Sequence, residues 1–121
     1  MKQIVILGSG FAALTAIREL RKRGVQDEIT VVSPSNELVY LPSLIWLPSG
    51  KRQADDLRVP LAAFFHRQRV RWHPGSVRQV LDGGRRIATD HGELTSDYLV
   101  IATGGRYLRK LPGIEHAIIP C

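Results

Sequence analysis

Cysteine is almost absent from this chain: its one thiol, Cys121, is the last of 121 residues. A single thiol closes no internal disulfide. With no CxxC pair and no His/Cys cluster at ligand spacing, no metal is expected. The four histidines, His66, His73, His91 and His116, are scattered and read as surface or hydrogen-bonded side chains. No apolar run approaches the ~18 residues of a membrane span. The opening MKQIVIL is too short and too quickly polar for a secretory leader, so cytoplasmic synthesis is expected. Aromatic residues supply only 7% of the chain. They are not interleaved with the basic residues, so the net charge of +6 lacks the stacking platform of a nucleic-acid groove. The basic residues fall in small groups (Arg18 to Arg23, Arg67 to Arg71, Arg106 to Lys110) and read as a solvated surface; no nucleic-acid partner is expected. Repeats and low-complexity segments are missing as well.

What is present is glycine in telling places. Residues 4–20 read IVILGSGFAALTAIREL. Residues 3–7 read as a buried, β-branched strand, and Gly8-Ser9-Gly10 hands it to a helix. Apolar positions Phe11, Leu14, Ile17 and Leu20 fall at helical spacing up to Arg23, and Gly24 is a natural stop. Ile29 to Val32 form a second strand. Strand, helix and strand within about thirty residues make a βαβ unit with parallel strands. Because this unit starts almost at residue 1, the natural start of the chain is expected to be present.

In that setting Gly8-x-Gly10-x-x-Ala13 is the fingerprint of a dinucleotide pyrophosphate site. Gly8 lets the chain turn sharply, Gly10 keeps side-chain atoms away from the phosphates, and Ala13 lets the helix pack on the strands. Unpaired amides at the helix start then face the anion, aided by the helix dipole. The acid that commonly ends the second strand and binds the adenosine ribose is replaced by Ser33, and the nearest carboxylate, Glu37, comes four residues later.

Residues 33–60 read as irregular, punctuated by Pro34, Pro42, Pro48 and Pro60, with an apolar stretch (LVYLPSLIWLP) that is expected to be buried. A short helix near Leu61–Arg67 and a strand at 69–73 follow. Three strand-like pieces, Ser76–Leu81, Arg85–Thr89 and Glu93–Thr95, are joined by Asp82-Gly83-Gly84 and Asp90-His91-Gly92, both good hairpin signals. Tyr98–Ala102 then reads as a buried parallel strand ending in Thr103-Gly104-Gly105. The expected class is α/β: a Rossmann-like parallel sheet with a βαβ start and a three-stranded β-meander.

A glycine fingerprint, a meander and a strand ending in Ala-Thr-Gly, in that order, resemble the FAD domain of the pyridine nucleotide–disulfide oxidoreductase superfamily. Ser33 followed by Asn36, the segment Tyr40-Leu41-Pro42-Ser43-Leu44, Ser96 to Gly104, and a cysteine after Pro112-Gly113 make the chain most similar to sulfide:quinone oxidoreductases and flavocytochrome c sulfide dehydrogenase flavin subunits. Type II NADH dehydrogenases come next.

The resemblance implies FAD as cofactor and a site residue by residue. Gly8, Gly10 and the amides of Phe11 and Ala12 would hold the pyrophosphate, with Ala13 behind them. Ser33 would sit at the adenosine ribose and Val77 at the adenine edge. Pro42 and Ser43 would lie near the flavin ring, and Ala102-Thr103-Gly104 near its ribityl side. Cys121 matches a cysteine near the flavin. On the residues alone Val77 also reads as core, Pro42 as a loop breaker and Cys121 as an ordinary terminal thiol.

The resemblance further implies that residues 1–121 are the N-terminal FAD-binding part of a longer two-dinucleotide-domain enzyme. That enzyme would pass an electron pair from sulfide through flavin to a quinone, and would associate peripherally with a membrane through its C-terminal region. The 121 residues alone are expected to be inactive and to hold FAD weakly or not at all. A type II NADH:quinone dehydrogenase and a stand-alone nucleotide-binding module are the alternatives.

Overall fold

The computed structural model describes residues 1–118. Eleven elements follow in order: β1 (Gln3–Leu7), α1 (Phe11–Lys22), β2 (Glu28–Ser33), β3 (Glu37–Val39), β4 (Arg58–Pro60), α2 (Ala62–Arg67), β5 (Val70–Pro74), β6 (Val77–Leu81), β7 (Arg86–Thr89), β8 (Gly92–Thr95) and β9 (Tyr98–Ile101). Short 3-10 turns at Leu41–Trp46, Ala54–Leu57, Asp82–Gly84 and Ile114–His116 connect them.

Four strands form a parallel sheet in the order β5-β2-β1-β9. Alternation along a strand sends neighbouring side chains to opposite faces, and both faces here are covered. Ile4, Ile6, Ile29 and Val31 face α1 and α2, where they pack with Ala13, Ile17, Leu61 and Phe65. Val5, Leu7 and Val32 face the other way and pack on Ile87 of the antiparallel β6-β7-β8 meander. The result is a helix layer, a sheet and a meander layer. The expected α/β architecture is present, including both hairpins of the meander.

The end of α1 shows how local sequence fixes a turn. Gly24, at φ +84°, donates to the carbonyl of Arg21, and Val25 donates to that of Leu20. This is the Schellman pattern, with glycine in the left-handed position. Arg21 then joins two loops. Its guanidinium donates to the carbonyls of Val25 (2.8 Å), Asp27 (3.0 Å), Gln68 (2.8 Å) and Arg69 (3.0 Å). Burial, followed by the neighbouring Arg69 charge, lowers its pKa from the usual arginine value. Arg21→Met is therefore expected to cost about 1–3 kcal/mol, because four carbonyls lose a charged donor at once. Arg21→Lys does not restore that loss, since a compact ammonium cannot span the four acceptors. Urea denaturation reads this as a lower midpoint at unchanged slope; a midpoint equal to wild type would refute the clamp.

Two expectations need correcting. The irregular stretch 33–60 contains an antiparallel ribbon in which Leu38 pairs with Val59 and Glu37 with Pro60. Its apolar segment is not buried: Val39, Tyr40, Leu41, Ile45 and Trp46 are exposed, and Lys51 lies over the Trp46 ring at 4.8 Å. Strand β9 is parallel, as expected, but it forms the edge of the sheet. Tyr98 and Ile101 are 54% and 65% exposed because nothing among the described residues pairs with its outer side.

Candidate nucleotide-binding site

The chain crosses to opposite sides of β1 on leaving it and on returning, β2 on one side and β9 on the other. In such sheets the crevice outside the strand ends at the switch point receives ligands. The glycine turn occupies that point. The Gly8 amide donates to the Val32 carbonyl at 2.8 Å, and the Ala102 amide donates to the Leu7 carbonyl at 2.8 Å. The turn is thereby tied to the ends of both neighbouring strands.

The two glycines do different work. Gly8 has φ +107°, and a Cβ built there would lie 2.2 Å from the Ala102 carbonyl oxygen. Only glycine lets β9 close against the turn. Gly10 is extended (φ −85°, ψ −168°), and a Cβ there would meet nothing within 4 Å. Its missing side chain therefore serves open space and not internal packing.

That space lies at the start of α1. Gly10 is the N-cap and makes no side-chain cap, and the first turn carries no acid. The Leu14 amide donates to the Gly10 carbonyl at 3.1 Å, so the amides of Phe11, Ala12 and Ala13 have no acceptor within the helix. Ala13 is fully buried against the strands. This donor set suits a diphosphate: orphan amides at a dipole's positive end, with no competing carboxylate.

Beside the turn is an open cleft of about 270 Å³. Gly8 and Thr103 form one wall, and Val32 and Pro34, from the end of β2, form another. Gly75, Ser76 and Val77 close it from the β5–β6 corner. That corner is held by Asp90, whose Oδ1 accepts from the Ser76 amide at 2.7 Å and contacts His91 Nδ1 at 2.9 Å. These contacts, His91 first, hold the Asp90 carboxyl below its ordinary value of 3.8. A Cβ on Gly75 would sit 2.7 Å from the same oxygen, at φ +151°.

The structure thus gathers Gly8, Val77 and Thr103 in one cleft, with Ala102 packed on Gly8 and Gly104 (φ +75°) just beyond. Gly10, Phe11, Ala12 and Ala13 form the adjoining turn. Pro42 and Ser43 stand apart from the cleft, in the 3-10 turn that follows Tyr40, whose ring meets Phe11 edge-on at 5.8 Å. Ser33 points elsewhere. It is 3% exposed; its hydroxyl donates to the Ser35 carbonyl (2.7 Å) and accepts from Trp72 Nε1 (3.0 Å). Cys121 lies outside the described residues. Sequence reasoning missed Val32, Pro34, Gly75 and Ser76; the Pro74-Gly75-Ser76 punctuation between two strands was the available signal. Among the described residues no group of three metal-ligating side chains comes together, and no helix is long and apolar enough to cross a membrane.

Residues 2–119 match the sequence profile of a family described as pyridine nucleotide-disulphide oxidoreductase. The chain is 33% identical over 116 residues to the nitric oxide reductase FlRd-NAD(+) reductase of Klebsiella pneumoniae, covering 93% of this chain and 31% of that protein. It is 28% identical over 108 residues to the type II NADH:quinone oxidoreductase of Staphylococcus haemolyticus, covering 85% of this chain and 26% of that protein. In three dimensions it resembles the sulfide:quinone oxidoreductase of Aquifex aeolicus, with TM-score 0.80 and 26% identity over 89% of this chain and 25% of that one. The chain therefore spans about a third of the curated relatives it matches.

Proposed function

Because the chain belongs to the pyridine nucleotide-disulphide oxidoreductase family, we propose that it holds the ADP half of FAD in a flavin-dependent oxidoreductase. In this reading residues 1–121 are the N-terminal FAD-binding part of a longer, two-dinucleotide-domain enzyme. One observation carries it: Gly8 is closed against Ala102, while Gly10 opens onto space before amides that lack acceptors. The pyrophosphate would rest on Gly10 and the amides of Phe11 and Ala12. Adenosine would take the cleft, with Val77 at the adenine edge. Thr103 and Gly104 would approach the ribityl side, and Pro42 and Ser43 the flavin end, across Phe11 and Tyr40. Bound FAD supplies the two-electron chemistry; the residues described here bind and orient it.

For the whole protein we assign sulfide as electron donor and a quinone as acceptor. The likeness to the Aquifex aeolicus sulfide:quinone oxidoreductase supports this. With a quinone as acceptor, the protein would sit peripherally at a membrane, on its cytoplasmic face. A second reading, with NADH as donor, draws on the NAD-linked names of the relatives at 33% and 28% identity. Cys121 would serve sulfur chemistry only in the first.

The test is anaerobic mixing of the full-length gene product, loaded with FAD, with sulfide or with NADH. Bleaching of the flavin band by sulfide is expected. Bleaching by NADH alone transfers the assignment to the second reading. A gene product that emerges from gel filtration colourless after incubation with FAD contradicts both, and leaves a nucleotide-binding module without flavin chemistry.

A further inference from the structure

A dinucleotide site of this design ordinarily selects its ligand at the ribose, through an acid at the end of the second strand. Here that position is built differently. Ser33 shares its sheet face with Val31, whose side chain is buried in the helix-side core, whereas the cleft is walled by Val32 and Pro34. The one hydroxyl proton of Ser33 goes to the Ser35 carbonyl, and an oxygen lone pair receives the Trp72 indole N–H. Pro34, next in the chain, has no N–H to offer.

Neither nearby carboxylate takes its place. Glu37 lies beside Arg58, with the charged atoms 3.9 Å apart, and does not line the cleft. Asp90 has Oδ1 committed to the Ser76 amide and His91, and it supports the corner without entering the wall. No charged side chain among the described residues lines this cleft.

We propose that the site does not read the ribose 2′-hydroxyl, so that adenosine and 2′-deoxyadenosine diphosphates bind alike. The inference rests on the ADP-binding reading above. Affinity then comes from the diphosphate on the Gly10 turn and from apolar contact of the base with Val32, Pro34 and Val77. A site built to hydrogen-bond a ligand hydroxyl rejects the analogue lacking it by large factors, since its own polar group is left unpaired. Here the hydroxyl at that strand end is already paired within the protein and no carboxylate lines the cleft, whose polar side chains are the uncharged Ser76 and Thr103.

The test titrates the FAD-free full-length gene product, labelled with nitrogen-15, with ADP and with 2′-deoxy-ADP, following the amides of Gly8, Gly10 and Val77. The two dissociation constants are expected to agree within about threefold. If ADP binds and 2′-deoxy-ADP is weaker by about tenfold or more, the inference falls while the nucleotide reading stands. If ADP moves none of these amides, the nucleotide reading fails and takes the inference with it. Ser33→Ala separates the roles further: a lower melting temperature with an unchanged ratio of the two constants is expected. A changed ratio would show that Ser33 reads the sugar after all.

Discussion

Gly8→Ala, and more strongly Gly8→Val, is expected to remove most of the stability of this fold. Two costs arise at one atom. At φ +107° any side chain is strained, by about 1–3 kcal/mol. The added Cβ also lies 2.2 Å from the Ala102 oxygen and 2.8 Å from its carbonyl carbon, backbone atoms that cannot rotate away. Relief requires the end of β9 to move off β1, which breaks the bond from the Ala102 amide to the Leu7 carbonyl. Strain, overpacking and that bond sum to about 3–6 kcal/mol. A domain of this size has about 5–15 kcal/mol in all. Urea denaturation followed by circular dichroism should place Gly8→Ala at the edge of folding and Gly8→Val beyond it. A Gly8→Ala protein within about 1 kcal/mol of wild type would mean that β9 does not close on the turn as described.

The same contact shows what could be read from the sequence and what could not. β1, α1 and β2 were legible because each is long enough for its period to show, and Gly24 marked the end of the helix. The meander was legible because glycine-bearing turns separate its strands. β3 and β4 were not: three residues display no alternation, the partners lie about twenty positions apart, and Pro60 reads as a breaker. Exposure of β9 was equally hidden, since an apolar edge strand and an apolar central strand have the same composition. At the site, the turn and the returning strand were legible as motifs. The orientation of Ser33 was legible in principle, because Ile29, Val31 and Ser33 fall on one face of an alternating strand. What composition could not supply was the acceptor that Trp72 needs, which depends on the pairing of Val31 with Trp72 across β2 and β5.

Gly10→Val is expected to do the reverse of Gly8→Val, abolishing nucleotide binding while leaving the fold standing. The backbone at Gly10 is extended, a conformation any residue adopts, and a Cβ there touches no protein atom. Loss of a favourable N-cap residue costs about 0.5–1 kcal/mol, a small part of the total. The methyl groups would instead fill the space before the amides of Phe11 and Ala12, where a diphosphate must come close to be held. With that approach blocked, affinity for ADP or FAD should fall at least about tenfold, or roughly 1.4 kcal/mol, and Gly10→Ala should fall between valine and wild type. Thermal melting and a nucleotide titration on the same samples read the two effects separately. A Gly10→Val protein that melts near wild type and binds nucleotide as well as wild type would show that open space in front of α1 is not where the phosphates go. One glycine would then still hold the fold together, and the reason for the second would have to be sought elsewhere.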